Sequence, residues 1–295
     1  MTKKSLFKAS FEESLNLEDD GFLQYQKQDY YNKLGKAFKK GRPSFWFGIK
    51  TFILSLLFPI GLNFMILVVA MSLHDSDPKD LRLPISQHPL LTVEVYLICL
   101  LIWLLLVLMG KLFKRTFILP YRYRFHIITF IIWFVFEFNL LATTMSLPIL
   151  SIWGILVFFG LLAFLAYVML RTELRSLKKR MYGEVKSPTL LDKIAKGIAI
   201  YGAGILGLAV IVNFIFKAFS INFSSSVTVL GLFIFWILSN IGVIAMIVFM
   251  EFPFFLEGYY KWKYPEEYRE WEGKAVEEWY GKKYLKKHKG LLKNE

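Results

Sequence analysis

From His126 to Leu170 the chain carries a single charged side chain, Glu137. Drawn out as one straight helix, that stretch would be about 68 Å long, roughly twice the hydrocarbon thickness of a bilayer. It is therefore expected to turn back on itself. Ser146-Leu147-Pro148 is the natural corner, because proline disfavours helix in the residue before it. From Gly197 to Met250 the only charge is Lys217, and here Asn222 with Ser224-Ser225-Ser226 marks the turn.

Cut at these corners, the chain contains six apolar runs: Thr51–Leu73, Leu90–Gly110, His126–Met145, Leu147–Leu170, Gly197–Phe219 and Val227–Met250. The fold class that follows is an all-α transmembrane bundle of six spans. A cytoplasmic leader (1–50) precedes the membrane domain (51–250), and a basic-aromatic tail (251–295) follows it. An apolar fraction of 56% suits this class better than a water-soluble domain. The first run follows a long charged leader and exceeds a signal-peptide core in length, so it is expected to remain as the first helix.

A net charge of +13 in a soluble protein would suggest nucleic acid, but here the basic residues flank the apolar runs. With six crossings, 33 of the 36 lysines and arginines fall on one side, leaving Lys79, Arg82 and Lys217 on the other. The positive-inside rule then puts both termini in the cytoplasm, and the expected location is the cell membrane of a bacterium.

Within the leader, Ser10 and Glu13 have the spacing of a capping box. Tyr30, Leu34 and Phe38 recur at helical spacing among lysines, as in an amphipathic elbow helix on an anionic inner leaflet, ended by Gly41-Arg42-Pro43. The tail from Lys274 to Lys289 reads as a basic helix on the same leaflet. Lys274, Trp279, Lys282, Lys283, Lys286 and Lys287 would touch the membrane, and Glu278 and Lys282 would pair at i,i+4. The expected partners are that leaflet and another membrane protein or a second copy of this chain, with no nucleic acid.

The residues with most to say about activity are the polar ones inside the runs. A carboxylate at the bilayer centre is costly when ionised, so Glu137 should face the bundle interior or be neutral. It is either a proton- or substrate-carrying acid or a hydrogen-bonded packing element. Asn139, Asn63, Asn213 and Asn240 are candidates for hydrogen bonds between helices. Glu94 lies about one turn inside the second run and is placed at the interface. Glu251 and Glu257 are expected at a solvated boundary. Pro59 and Gly61 interrupt the first run as a kink or a broken helix. Ala199, Ala203 and Gly207 recur every four residues, which permits close helix packing.

Common enzyme classes find no support in the sequence. None of His74, His88, His126 and His288 is spaced i,i+4 from another, as a zinc protease site requires, and there is no nucleophile elbow or P-loop. No catalytic residue, metal or cofactor is assigned. A non-catalytic protein acting by contact, such as a toxin-immunity factor or an accessory subunit, is expected. The alternative is a permease subunit of a transporter, including an ATP-driven exporter.

Overall fold

The computed structural model describes residues 5–18, 21–30, 45–77, 79, 85–110, 112, 115–183, 190, 193, 197, 225–288 and 290. Two short helices open the chain, α1 (Phe11–Leu15) and α2 (Gly21–Tyr30). The predicted capping box starts α1. Ser10 Oγ accepts from the Glu13 amide at 3.2 Å, and Glu13 Oε2 accepts from the Ser10 amide at 3.0 Å.

Four long apolar helices follow: α3 (Phe45–Asp75), α4 (Val93–Gly110), α5 (Thr116–Tyr182) and α6 (Ser225–Met246, Ile247–Glu251 and Phe252–Lys263). Their most apolar windows have mean hydropathies of 2.5 to 2.6, yet only 6 to 22% of the residues in those windows are buried. So much outward-facing apolar surface belongs in lipid. The chain is a multi-pass helical membrane protein.

The count is four among the described residues, which corrects the expected six spans. The runs at His126–Met145 and Leu147–Leu170 fall within one bent helix, α5, instead of forming two. Beyond Gly197 itself, the run at Gly197–Phe219 lies outside the described residues, as do the elbow residues Leu34 and Phe38 and the Gly41-Arg42-Pro43 break.

The bend in α5 is sharp. Pro148 cannot donate a helical hydrogen bond, and three residues on Ser151 leaves the helical region entirely, at φ 57° and ψ 171°. Residues 119–150 and 152–182 form two limbs whose far ends meet: Phe117, Leu177 and Met181 belong to one buried cluster. Helix α6 packs against both. Along the first limb it runs antiparallel, with Arg124 paired to Glu251 and Asn139 bonded to Asn240. Along the second it runs parallel, with Phe158 against Trp236 and Met169 beside Ala245 and Val248.

Helix α3 is bent by a π-helical turn at Leu56–Leu62, centred on Pro59. The backbone amide of Asn63 turns to Ile60 O, so the Asn63 side chain takes Pro59 O instead, at 2.6 Å. Close packing elsewhere relies on glycine. A Cβ at Gly258 would lie 2.6 Å from the Tyr121 ring, so α6 and α5 can meet there only without one.

The leader, the start and end of α5, the end of α6 and the tail form one cluster at what is here termed the terminal end. The tail comprises α7 (Pro265–Trp271), α8 (Val276–Tyr280) and α9 (Lys282–Leu285). The single tail helix expected over Lys274–Lys289 is broken at Gly281, whose φ of 82° favours glycine and where a side chain would strike Thr116 Oγ1. At the opposite end, the loop before α4 is pinned near the α5 corner: Ser86 N donates to Thr144 O at 3.2 Å and Leu90 N to Thr144 Oγ1 at 3.1 Å.

Candidate functional site

Glu137 points into the contact between α3, α4 and the first limb of α5 and is fully buried. Residues four apart share a helix face, and Trp133, one turn earlier, donates its indole N–H to Glu137 Oε1 at 2.5 Å. The Trp133 ring lies 5.9 Å from that of Tyr96 and 5.9 Å from that of Trp103, both on α4. From α3, Ile60 O accepts from the Tyr96 hydroxyl at 3.5 Å, a long contact. Asn63, one turn further along α3, is also fully buried.

This site is polar but incomplete. Glu137 Oε2, Asn63 Oδ1 and Trp103 Nε1 are buried without a hydrogen-bond partner among the described residues. Glu137 also has no ion pair among them, and its one hydrogen bond stays within its own helix. It therefore does not tie helices together. In a low-dielectric interior, unmet donors and acceptors cost about 1–3 kcal/mol each, and α3, α4 and α5 each contribute one here.

Asn139, two residues along, faces α6, and both of its side-chain polar atoms find partners there. Its Oδ1 accepts from Trp236 Nε1 at 2.5 Å and from Asn240 Nδ2 at 2.8 Å, and its Nδ2 donates to Asn240 Oδ1 at 2.9 Å. Asn240 Nδ2 also reaches Trp236 O at 2.9 Å. The Trp236 ring packs, tilted, 4.0 Å from that of Phe158 of the second limb. This amide pair joins three helical segments.

The remaining sequence candidates are scattered. Glu94 is exposed in the first turn of α4. Asn213, Ala199, Ala203 and Gly207 lie outside the described residues, as does the Lys283 side chain. In the tail, Trp279 turns inward and stacks on Phe117 at 4.6 Å, while Lys282, Lys286 and Lys287 are exposed. Glu278 pairs with Lys274 at 2.9 Å rather than with Lys282, which lies 3.3 Å from Glu277.

Glu251 and Glu257 are buried, not solvated as expected. Arg124 grips Glu251 through Nε at 2.8 and 2.9 Å. Glu257 lies 2.5 Å from Lys27 Nζ of the leader and 3.0 Å from Lys261 Nζ. Sequence reasoning missed this cluster and the aromatic wall around Glu137. The i,i+4 spacings of Trp133 with Glu137 and of Glu257 with Lys261 were the available signals.

Comparison with protein-family models, with curated proteins and with solved structures gave no match.

Proposed function

We propose that the protein is a permease subunit of a membrane transporter and that Glu137 carries a proton during its cycle. One observation carries this reading: a fully buried acid whose second oxygen meets no protein partner among the described residues and whose first bonds only within its own helix. An acid used for packing would bridge helices, as Asn139 does. The π-helical turn around Pro59 lies beside the site and supports a helix able to rearrange there.

In this reading the terminal end faces the cytoplasm, because the basic segments gather there. The exposed Lys282, Lys286 and Lys287 would then meet an anionic inner leaflet. The test uses purified protein in vesicles holding a pH-sensitive dye. An imposed pH gradient should drive proton flux in the native protein, and Glu137→Gln, which keeps the shape but cannot ionise, should abolish it. Equal flux in both proteins, or none in the native one, would overturn the reading.

A contact role, as accessory subunit or immunity factor, comes second. It is favoured by Tyr25, Trp262 and Trp271, which stand 63, 53 and 52% exposed on the terminal end, where a partner protein would find them. Substituting serine for both tryptophans should then abolish a protective or assembly phenotype without altering proton flux.

A further inference from the structure

Five charged side chains meet where the leader crosses the end of α6. Glu257, without exposed surface, pairs with Lys27 of α2 and with Lys261 one turn along its own helix. Lys27 also pairs with Glu18, just beyond α1, and Lys261 pairs with Glu272 of the tail. Tyr268 completes the surroundings: its hydroxyl meets Ser14 Oγ at 2.9 Å, and its ring centroid is 5.8 Å from Lys261 Nζ. Tyr121 faces Lys261 from α5. Among the described residues, three carboxylates thus share two ammonium groups in a largely dry interface, so one carboxylate lacks its full share of compensating charge.

The same interface fixes the leader by its backbone. Ala9 N donates to the Tyr260 hydroxyl at 3.1 Å, and that hydroxyl donates to Leu6 O. Tyr264 donates to Ala9 O at 2.8 Å and Tyr259 to Phe7 O at 3.2 Å. Leu6, Ala9, Leu17 and Leu23 are at most 4% exposed, so releasing the leader would uncover a continuous apolar strip.

We propose that Glu18, Lys27, Glu257, Lys261 and Glu272 form a proton-operated latch, which holds the leader on the end of α6 when Glu18 is protonated and loosens when it ionises. A protonated Glu18 can donate to Glu257, leaving two carboxylates against two lysines. Burial first, and the neighbouring Glu257 second, raise the Glu18 carboxyl from 4.5 to about 7, against the opposing pull of Lys27. Because the docked value lies above the free one, the contribution of Glu18 to docking is fully present below the free value. It is lost as pH rises through about 7.

Hydrogen exchange on the full chain in lipid nanodiscs tests this latch. The protection of the Ala9 amide, corrected for intrinsic exchange, should fall on the order of a hundredfold between about pH 5 and about pH 8.5. Amides in the first limb of α5 should stay protected, which separates release of the leader from unfolding. Glu18→Gln, neutral at every pH but still able to donate, should keep Ala9 protected throughout. If that variant accumulates poorly, Lys27→Met serves instead. Losing the cation favours a protonated Glu18, so the fall should move to higher pH. A native protein with pH-independent protection, a Glu18→Gln variant that falls as the native one does, or an unmoved midpoint in Lys27→Met would overturn the latch.

Discussion

Glu137 and Asn139 stand two residues apart on one limb of α5, both away from water, and their surroundings differ in kind. Asn139 uses its oxygen twice and its amide once, always across to α6. Glu137 makes one bond, to its own helix, and leaves an oxygen unmet. The closed amide pair has the economy of a structural contact, since every group taken out of water finds a partner. The acid has the opposite character: the costliest group in the span keeps one oxygen unmet, and two further buried polar atoms, Asn63 Oδ1 of α3 and Trp103 Nε1 of α4, are unmet among the described residues as well. An intramembrane polar residue is thus sorted by how completely its neighbours satisfy it, and depth in the bilayer alone does not decide its role.

The largest expected effect breaks the comparison on the functional side. Glu137→Leu should abolish proton flux, a loss of about 100-fold or more for a group that carries the proton. Stability should stay within about 1 kcal/mol, because the substitution removes an unmet oxygen as well as one hydrogen bond. Steric-trap unfolding beside vesicle flux would measure both. A loss of several kcal/mol would return Glu137 to a packing role.

Asn139→Leu should behave in reverse. It strands the Trp236 indole and the Asn240 amide, at a cost of about 2 kcal/mol, while flux per folded molecule is unchanged. The Asn139→Leu, Asn240→Leu double variant should cost less than the two single costs together, by about 1 kcal/mol, since both remove the same bonds. Strict additivity would show that the amide pair is not the unit described. Trp133→Phe should cost less, about 1 kcal/mol. That cost should vanish in a Glu137→Leu background, where the indole has already lost its acceptor.

Parts of this layout were legible beforehand because they depend on local chemistry. The apolar runs, the capping box at Ser10 and the interruption at Pro59 follow from neighbours in sequence. The α5 turn was legible to within a few residues: Pro148 weakens the helix, but the chain departs from helical geometry at Ser151. The stretch counts as one bent helix among the four, and its two limbs fold back at Ser151, three residues past the proline. What could not be read is pairing over long separations. Asn139 and Asn240 were each singled out, but nothing in the sequence matched them to each other. The union of leader and tail, where Tyr260 binds Leu6 and Ala9, joins segments at opposite ends of the chain. Trp279 looked like a membrane-facing aromatic because its partner, Phe117, sits in a distant linker.

The smallest expected effect is at Glu94, which sharpens the comparison by supplying a third case. It is an acid within an apolar helix, as Glu137 is, but it stands in the first turn of α4 and is exposed. There the unpaired N–H groups at the helix start favour a negative charge, and water or lipid headgroups can solvate it without help from the protein. Nothing in its surroundings requires it to be neutral, shared or mobile. Glu94→Gln should therefore leave proton flux unchanged and shift thermal unfolding by no more than the scatter between repeats. Should Glu94→Gln reduce flux as strongly as Glu137→Gln, burial and unmet hydrogen bonding would not be what selects the working acid. Proton movement would then have to be traced inward along α4 from Glu94.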